Sequence, residues 1–120
     1  MPNDRKRILI ADDDQGILDV LTLFLEEEGY AVETTVDGGT LRALEQNFPD
    51  LLLLDIWMSG WHGRDVCRYL KSQPATQHLP IILVSANRET ESIAREAGAD
   101  DFLAKPFNLG DVLKKIEKYV

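Results

Sequence analysis

At 120 residues, with 44% hydrophobic residues and a formal net charge of −8, the chain has the length of one domain and the composition for one core. The acidic balance argues against a broad nucleic-acid surface or an anionic membrane, since both ask for clustered Lys and Arg. Cys67 is the only cysteine, which excludes an intramolecular disulfide and fits a reducing compartment. The polar start from Met1 to Arg7 is followed by no signal-type apolar region and no span-length run, so a cytoplasmic protein is expected.

Ile8-Leu9-Ile10-Ala11 reads as a buried strand ended by Asp12-Asp13-Asp14. A helix follows, with Ile17, Leu18, Leu21, Phe24 and Leu25 at helical spacing, Asp13 or Asp14 as its cap and Gly29 as its stop. Glu26, Glu27 and Glu28 oppose the dipole at its end and read as a solvated face or a partner-facing patch. Ala31 to Val36 alternates and carries Thr34 and Thr35, as suits an edge strand. Asp37-Gly38-Gly39 turns the chain into a second helix carrying Leu41, Leu44 and Phe48.

Leu51 to Leu54 runs straight into Asp55. A short apolar run bounded by turn signals is a strand buried on both faces. The stretch from Ile56 to Gly63 is expected as a loop whose glycines allow sharp turns. A third helix holds Val66, Cys67, Tyr69 and Leu70, with Cys67 as a small core filler. After a polar loop from Ser72 to Leu79, Pro80 to Val84 forms a fourth buried strand ended by Ser85. A short helix from Glu89 to Ala97 stops at Gly98, and Asp101 to Ala104 is a fifth strand ended by Lys105-Pro106. Asn108 caps the last helix, Asp111 stands in its first turn, and Leu109, Val112, Leu113, Ile116 and Val120 form its apolar stripe.

Alternating strands and helices with short connections imply an α/β domain, a doubly wound five-stranded parallel sheet with five helices on both faces. Such sheets bind ligands beyond the carboxyl ends of their strands. Asp12, Asp13, Asp55, Ser85 and Lys105 all stand there. Each has a bland reading as a cap, a turn residue, a strand terminus or a surface charge; their joint placement at one edge has none. Three close carboxylates repel unless a cation joins them, and a hard divalent ion such as Mg2+ suits that set. An aspartate beside a metal, an ammonium and a hydroxyl suggests phosphoryl chemistry, with the carboxylate as nucleophile.

Ile8 to Asp14, Leu52 to Asp55, Ile81 to Ala86 and Gly98 to Phe107, in that order, resemble the receiver domain of two-component response regulators over essentially the whole chain. The resemblance implies a flavodoxin-like strand order 2-1-3-4-5 in a single domain over residues 1–120. It implies that Asp55 is phosphorylated from a phosphohistidine of a sensor kinase or phosphotransfer protein. Asp13 and Asp55 would bind Mg2+ directly, Asp12 mainly through water, and Trp57 through its backbone carbonyl. Lys105 would pair with the phosphoryl oxygens, with a cis bond to Pro106. Ser85 would grip the phosphoryl group, and Phe102 would be the aromatic switch of an output face formed by the fourth helix, fifth strand and fifth helix. Such a protein is a switch that catalyses its own phosphorylation and slow dephosphorylation, without turning over an external metabolite. Its downstream partner or output domain is not readable, and direct nucleic-acid or membrane binding by this domain is not expected.

The chain departs from the family pattern at Ser59, where Pro is usual, and at His62, where Asp is common, so a less rigid loop after Asp55 is expected. Trp57 and Trp61 in that loop read either as packing over the third helix or as a docking patch or shield. Phe102 lacks the hydroxyl of the commoner Tyr. The Ser85 to Lys105 segment looks about two residues short, which implies a trimmed fourth helix or preceding loop and an altered output face. His62 and His78 have no zinc-ligand spacing, and no glycine-rich phosphate loop supports a nucleotide or flavin module. A phosphatase with an aspartyl nucleophile wants a second acid where Trp57 stands. A degenerate receiver conflicts with the intact acidic, hydroxyl and lysine set.

Overall fold

The computed structural model describes residues 5–42, 47–58, 60–86 and 89–120. The expectations on Leu44 and Ser59 lie outside the described residues. The main sheet contains β1 (Arg7–Ala11), β2 (Ala31–Thr35), β3 (Leu51–Asp55), β6 (Ile81–Ser85) and β7 (Asp101–Ala104), all parallel, in the order β2-β1-β3-β6-β7. Counting those five strands alone gives the expected 2-1-3-4-5 order. The helices are α1 (Gln15–Glu27), α2 (Gly38–Arg42), α3 (Gly63–Ser72), α4 (Thr90–Ala97) and α5 (Leu109–Tyr119). Two strands were not expected. β4 (Trp57–Met58) and β5 (Trp61–His62) pair antiparallel, so the stretch after Asp55 is a small ribbon rather than a plain loop.

The leucine run explains why β3 is central. All five of its residues are buried, and successive side chains point to opposite faces. Leu52 and Leu54 join Val66, Leu70, Leu83 and Ala94 in one core layer, under α2, α3 and α4. Leu51 and Leu53 join Leu18, Leu25, Val112 and Ile116 in the other, under α1 and α5. A run without alternation is what a strand covered on both sides requires. β2, at the edge, has no fully buried residue.

The helix ends follow the local chemistry. Asp14, not Asp13, caps α1: its Oδ1 accepts from the Gly16 and Ile17 amides at 2.9 and 3.3 Å. Gly29 and Gly98 take positive φ values of 99° and 80° just past α1 and α4, where a side chain would be strained. Asn108 caps α5 through its Oδ1 on the Asp111 amide at 2.8 Å. Phe48 stands apart from α2, and its carbonyl accepts from Arg7 Nη1 at 3.2 Å. Pro49 follows it, and the residue before a proline is biased to extended backbone. The short segment between Ser85 and Lys105 leaves α4 eight residues long.

Candidate functional site

Parallel strands β1, β3, β6 and β7 deliver their last side chains to one edge. Asp12 follows β1, and its amide is held by the Thr35 carbonyl of β2 at 3.1 Å. Asp12 and Asp55 are only 3% and 6% exposed, Ser85 is 1% exposed, and Asp13 faces solvent. Carboxylate oxygens of Asp12, Asp13 and Asp55 lie within 4.8 Å of one another. Ser85 follows Val84, the register partner of Asp55, and itself pairs with Ala104. The Lys105 amide donates to the Ser85 carbonyl at 2.9 Å. The expected acids, hydroxyl and ammonium are therefore borne by adjoining strand ends.

The charges are coupled. Lys105 Nζ donates to Asp12 Oδ2 at 3.0 Å and lies 3.6 Å from Asp55 Oδ2. Asp12 Oδ1 accepts from the Asp14 amide at 2.9 Å, so both oxygens of Asp12 have partners. Burial, and then the charge of Asp12, push the Asp55 carboxyl up to about 6, against the pull of Lys105 and of the Trp57 N–H. Burial works against the Lys105 ammonium, but its bond to Asp12 and the charges of Asp55 and Asp12 outweigh it and raise its pKa. An acid whose charged form is disfavoured beside two others is a site short of positive charge. Three carboxylates of this spacing form an all-oxygen donor set that fits Mg2+.

The described residues after Asp55 make specific contacts. The Gly63 amide donates to the Ile56 carbonyl at 2.6 Å. A Cβ on Gly63 would run into the Asp55 carbonyl oxygen and stand 2.7 Å from Ile56 Cα. Gly63 is thus required for close approach, whereas Gly60, at φ 77°, is the glycine of this stretch that takes a positive-φ turn conformation. Met58 is buried in the α2–α4 core layer. Trp61 is half-buried and packs at the start of α2, where a Cβ on Gly38 would meet it at 2.7 Å. Its packing is therefore toward α2. Trp57 is 55% exposed and meets the His62 ring edge-on, with centroids 4.5 Å apart. Its amide donates to Asp55 Oδ1 at 3.3 Å.

His62 caps α3, its Nδ1 accepting from the Arg64 amide at 3.2 Å. The sequence reading missed this, and the signal was present: an acceptor side chain just before Gly63 and a helix with Asp65 in its first turn. Phe102 is half-buried against the α2–α4 core layer, opposite Leu83 in register. Lys115 Nζ lies 5.1 Å from its ring centroid and 2.8 Å from Asp101 Oδ1. The Lys105-Pro106 bond is cis, as expected.

Residues 8–117 match the family model described as the response regulator receiver domain. The chain is 36% identical over 119 residues to the DNA-binding response regulator MtrA of Mycolicibacterium smegmatis, covering 97% of this chain and 51% of that protein. The chain thus spans about half the length of that relative. A putative response regulator from Chloroflexus aurantiacus superposes with a TM-score of 0.90 at 30% identity, over 97% of this chain and 98% of that one. The response regulator TrrA from Thermotoga maritima, solved in complex with Mg2+ and BeF, gives a TM-score of 0.85 at 32% identity, over 96% of this chain and 99% of that one.

Proposed function

The chain belongs to the response regulator receiver domain family, the phosphorylation-dependent switches of two-component signalling, and from that premise we propose that Asp55 is its phosphoacceptor. The observation that carries this reading is the Asp55 carboxylate, buried at the carboxyl end of the central strand, beside Asp12, Asp13 and Lys105. A carboxylate oxygen of Asp55 attacks the phosphorus of a phosphohistidine on a sensor kinase or phosphotransfer protein. The new O–P bond forms as the P–N bond breaks, and the electron pair leaves with the imidazole nitrogen. Asp12, Asp13 and Asp55, with the Trp57 backbone carbonyl, would hold Mg2+. When bound, it neutralises charge on the phosphoryl oxygens.

The chain's own groups do the rest. Lys105 moves from its bond with Asp12 to a phosphoryl oxygen, one charge-assisted bond replacing another. Ser85 donates its hydroxyl to a second oxygen. The Lys105 amide is tied to the Ser85 carbonyl, so the two residues respond as one unit. Phe102 lies two residues before Ala104, the register partner of Ser85. The change passes to α4, β7 and α5 as the output face. The domain acts in the cytoplasm as a switch rather than as an enzyme for a metabolite.

The test is intact-mass measurement after incubation with acetyl phosphate and Mg2+. One added phosphate is expected on the wild-type chain and none on Asp55→Asn. No mass gain on the wild type, across pH and donor concentration, would sink the mechanism.

A further inference from the structure

We propose that His62 is a positioning residue for Asp55: it restrains Trp57, and Trp57 in turn sets the orientation of the Asp55 carboxylate. The proposal rests on the reading that Asp55 takes the phosphoryl group.

Three contacts make the path. His62 and Trp57 are register partners across the β4–β5 ribbon. Their rings meet edge to face, at 4.5 Å and an interplanar angle of 68°. His62 Nδ1 accepts from the Arg64 amide at 3.2 Å, which ties the imidazole to the first turn of α3. The imidazole is therefore fixed at one nitrogen and offers its ring to an indole that is otherwise 55% exposed. Trp57 then donates its amide to Asp55 Oδ1 at 3.3 Å, while Asp55 Oδ2 is the oxygen that faces Lys105 at 3.6 Å.

A hydrogen bond of that length is at the weak end of the range, so its alignment depends on what holds its donor. The ribbon and the ring pair supply that restraint. An Asp or Asn at position 62 would cap α3 as well as His, but neither would hold the indole. Small errors in the orientation of a nucleophile are costly in rate.

Two substitutions separate the cap from the ring. His62→Asn keeps an acceptor for the Arg64 amide and removes the ring; His62→Phe keeps a ring and removes the acceptor. The readouts are the rate of Asp55 phosphorylation by acetyl phosphate with Mg2+, the melting temperature, and the fluorescence anisotropy of Trp57 in a Trp61→Phe background. His62→Asn should keep the α3 cap and melt only slightly below wild type, lower the indole anisotropy and phosphorylate about 2- to 10-fold more slowly, the fold-change to which an aromatic pair contact converts. His62→Phe should melt lower, and because it keeps a ring against the indole it should lose less rate and less anisotropy than His62→Asn. A wild-type rate in His62→Asn overturns the proposal, as does an equal loss of rate in both variants or a loss of rate without a change in anisotropy. If the wild-type chain takes no phosphate, the underlying reading falls and this inference with it; if it does and His62→Asn matches it, only this inference falls.

Discussion

The Lys105 ammonium lies 3.0 Å from Asp12 Oδ2 and 3.6 Å from Asp55 Oδ2. The cation is bonded to Asp12 and only near Asp55. Its positive charge lies against two carboxylates that are almost wholly buried, at 4% and 7% side-chain exposure. Lys105→Met keeps the apolar stem and removes the charge. It should cost about 1–3 kcal/mol in urea unfolding at neutral pH without Mg2+, because buried acids lose their counter-charge. It should also enlarge the rise in melting temperature that Mg2+ produces. An unchanged unfolding midpoint would mean that solvent already screens these acids.

Asp55 gives stability a specific pH dependence. Its pKa is raised from 3.8 to about 6 in the folded chain. Its contribution is therefore complete below about pH 4 and is lost as pH rises through about 6, because the folded state holds the proton longer than the unfolded one. Asp55→Asn removes that loss. Without Mg2+, the variant should melt higher than the wild type above pH 7, and the advantage should vanish near pH 4. Mg2+ should shrink it as well, by stabilising only the folded wild-type site. Melting curves across pH, with and without Mg2+, would contradict this if the two proteins ran parallel.

Asp101 behaves in the opposite sense. Burial works against its charge, but donors from Lys115, the Phe102 amide and Tyr119 outweigh it and lower its pKa. Lys115 and the Phe102 amide reach Oδ1 at 2.8 and 2.9 Å, and the Tyr119 hydroxyl reaches Oδ2 at 3.0 Å. This contribution is present above the unfolded value of 3.8 and is lost as pH falls through the lowered folded value. Asp101→Asn should cost about 1–3 kcal/mol at pH 7 and progressively less in acid. A constant difference across pH would show that shape, not charge, carries the interaction.

Gly63→Ala tests the close approach of α3 to the end of β3. The added methyl would run into the Asp55 carbonyl oxygen. That neighbour is backbone and cannot turn aside as a side chain would. A loss of about 2–3 kcal/mol is expected in denaturant unfolding, together with slower phosphorylation. A variant as stable as wild type would show that the ribbon gives way freely.

Much of this protein could be read without coordinates where local chemistry decides. The four leucines before Asp55 require a strand covered on both faces, and the structure splits them between two core layers. Asn108 and Gly98 mark helix ends because a side-chain acceptor and a residue free to take positive φ act on their own neighbours. Asp12, Asp13, Asp55, Ser85 and Lys105 were legible together because parallel connectivity sends every strand's last residue to one edge.

Other features depend on what meets what across the fold. The stretch after Asp55 was expected as a loop, yet β4 and β5 pair within it, Trp61 packs against Gly38, and Gly63 seats on the Asp55 carbonyl. Those contacts join residues that are distant in sequence or share no common period, so neither composition nor spacing announces them. The choice of Asp12 over Asp55 as the bonded partner of Lys105 likewise depends on ångström-scale placement of three strand ends. The sequence by itself determined the sheet, its polarity and the residues at its carboxyl edge, because those follow from hydrophobic period and chain direction. Only the tertiary structure decided how the acids share one cation and how Trp57 and Gly63 meet Asp55, because that depends on distances that the one-dimensional pattern does not carry.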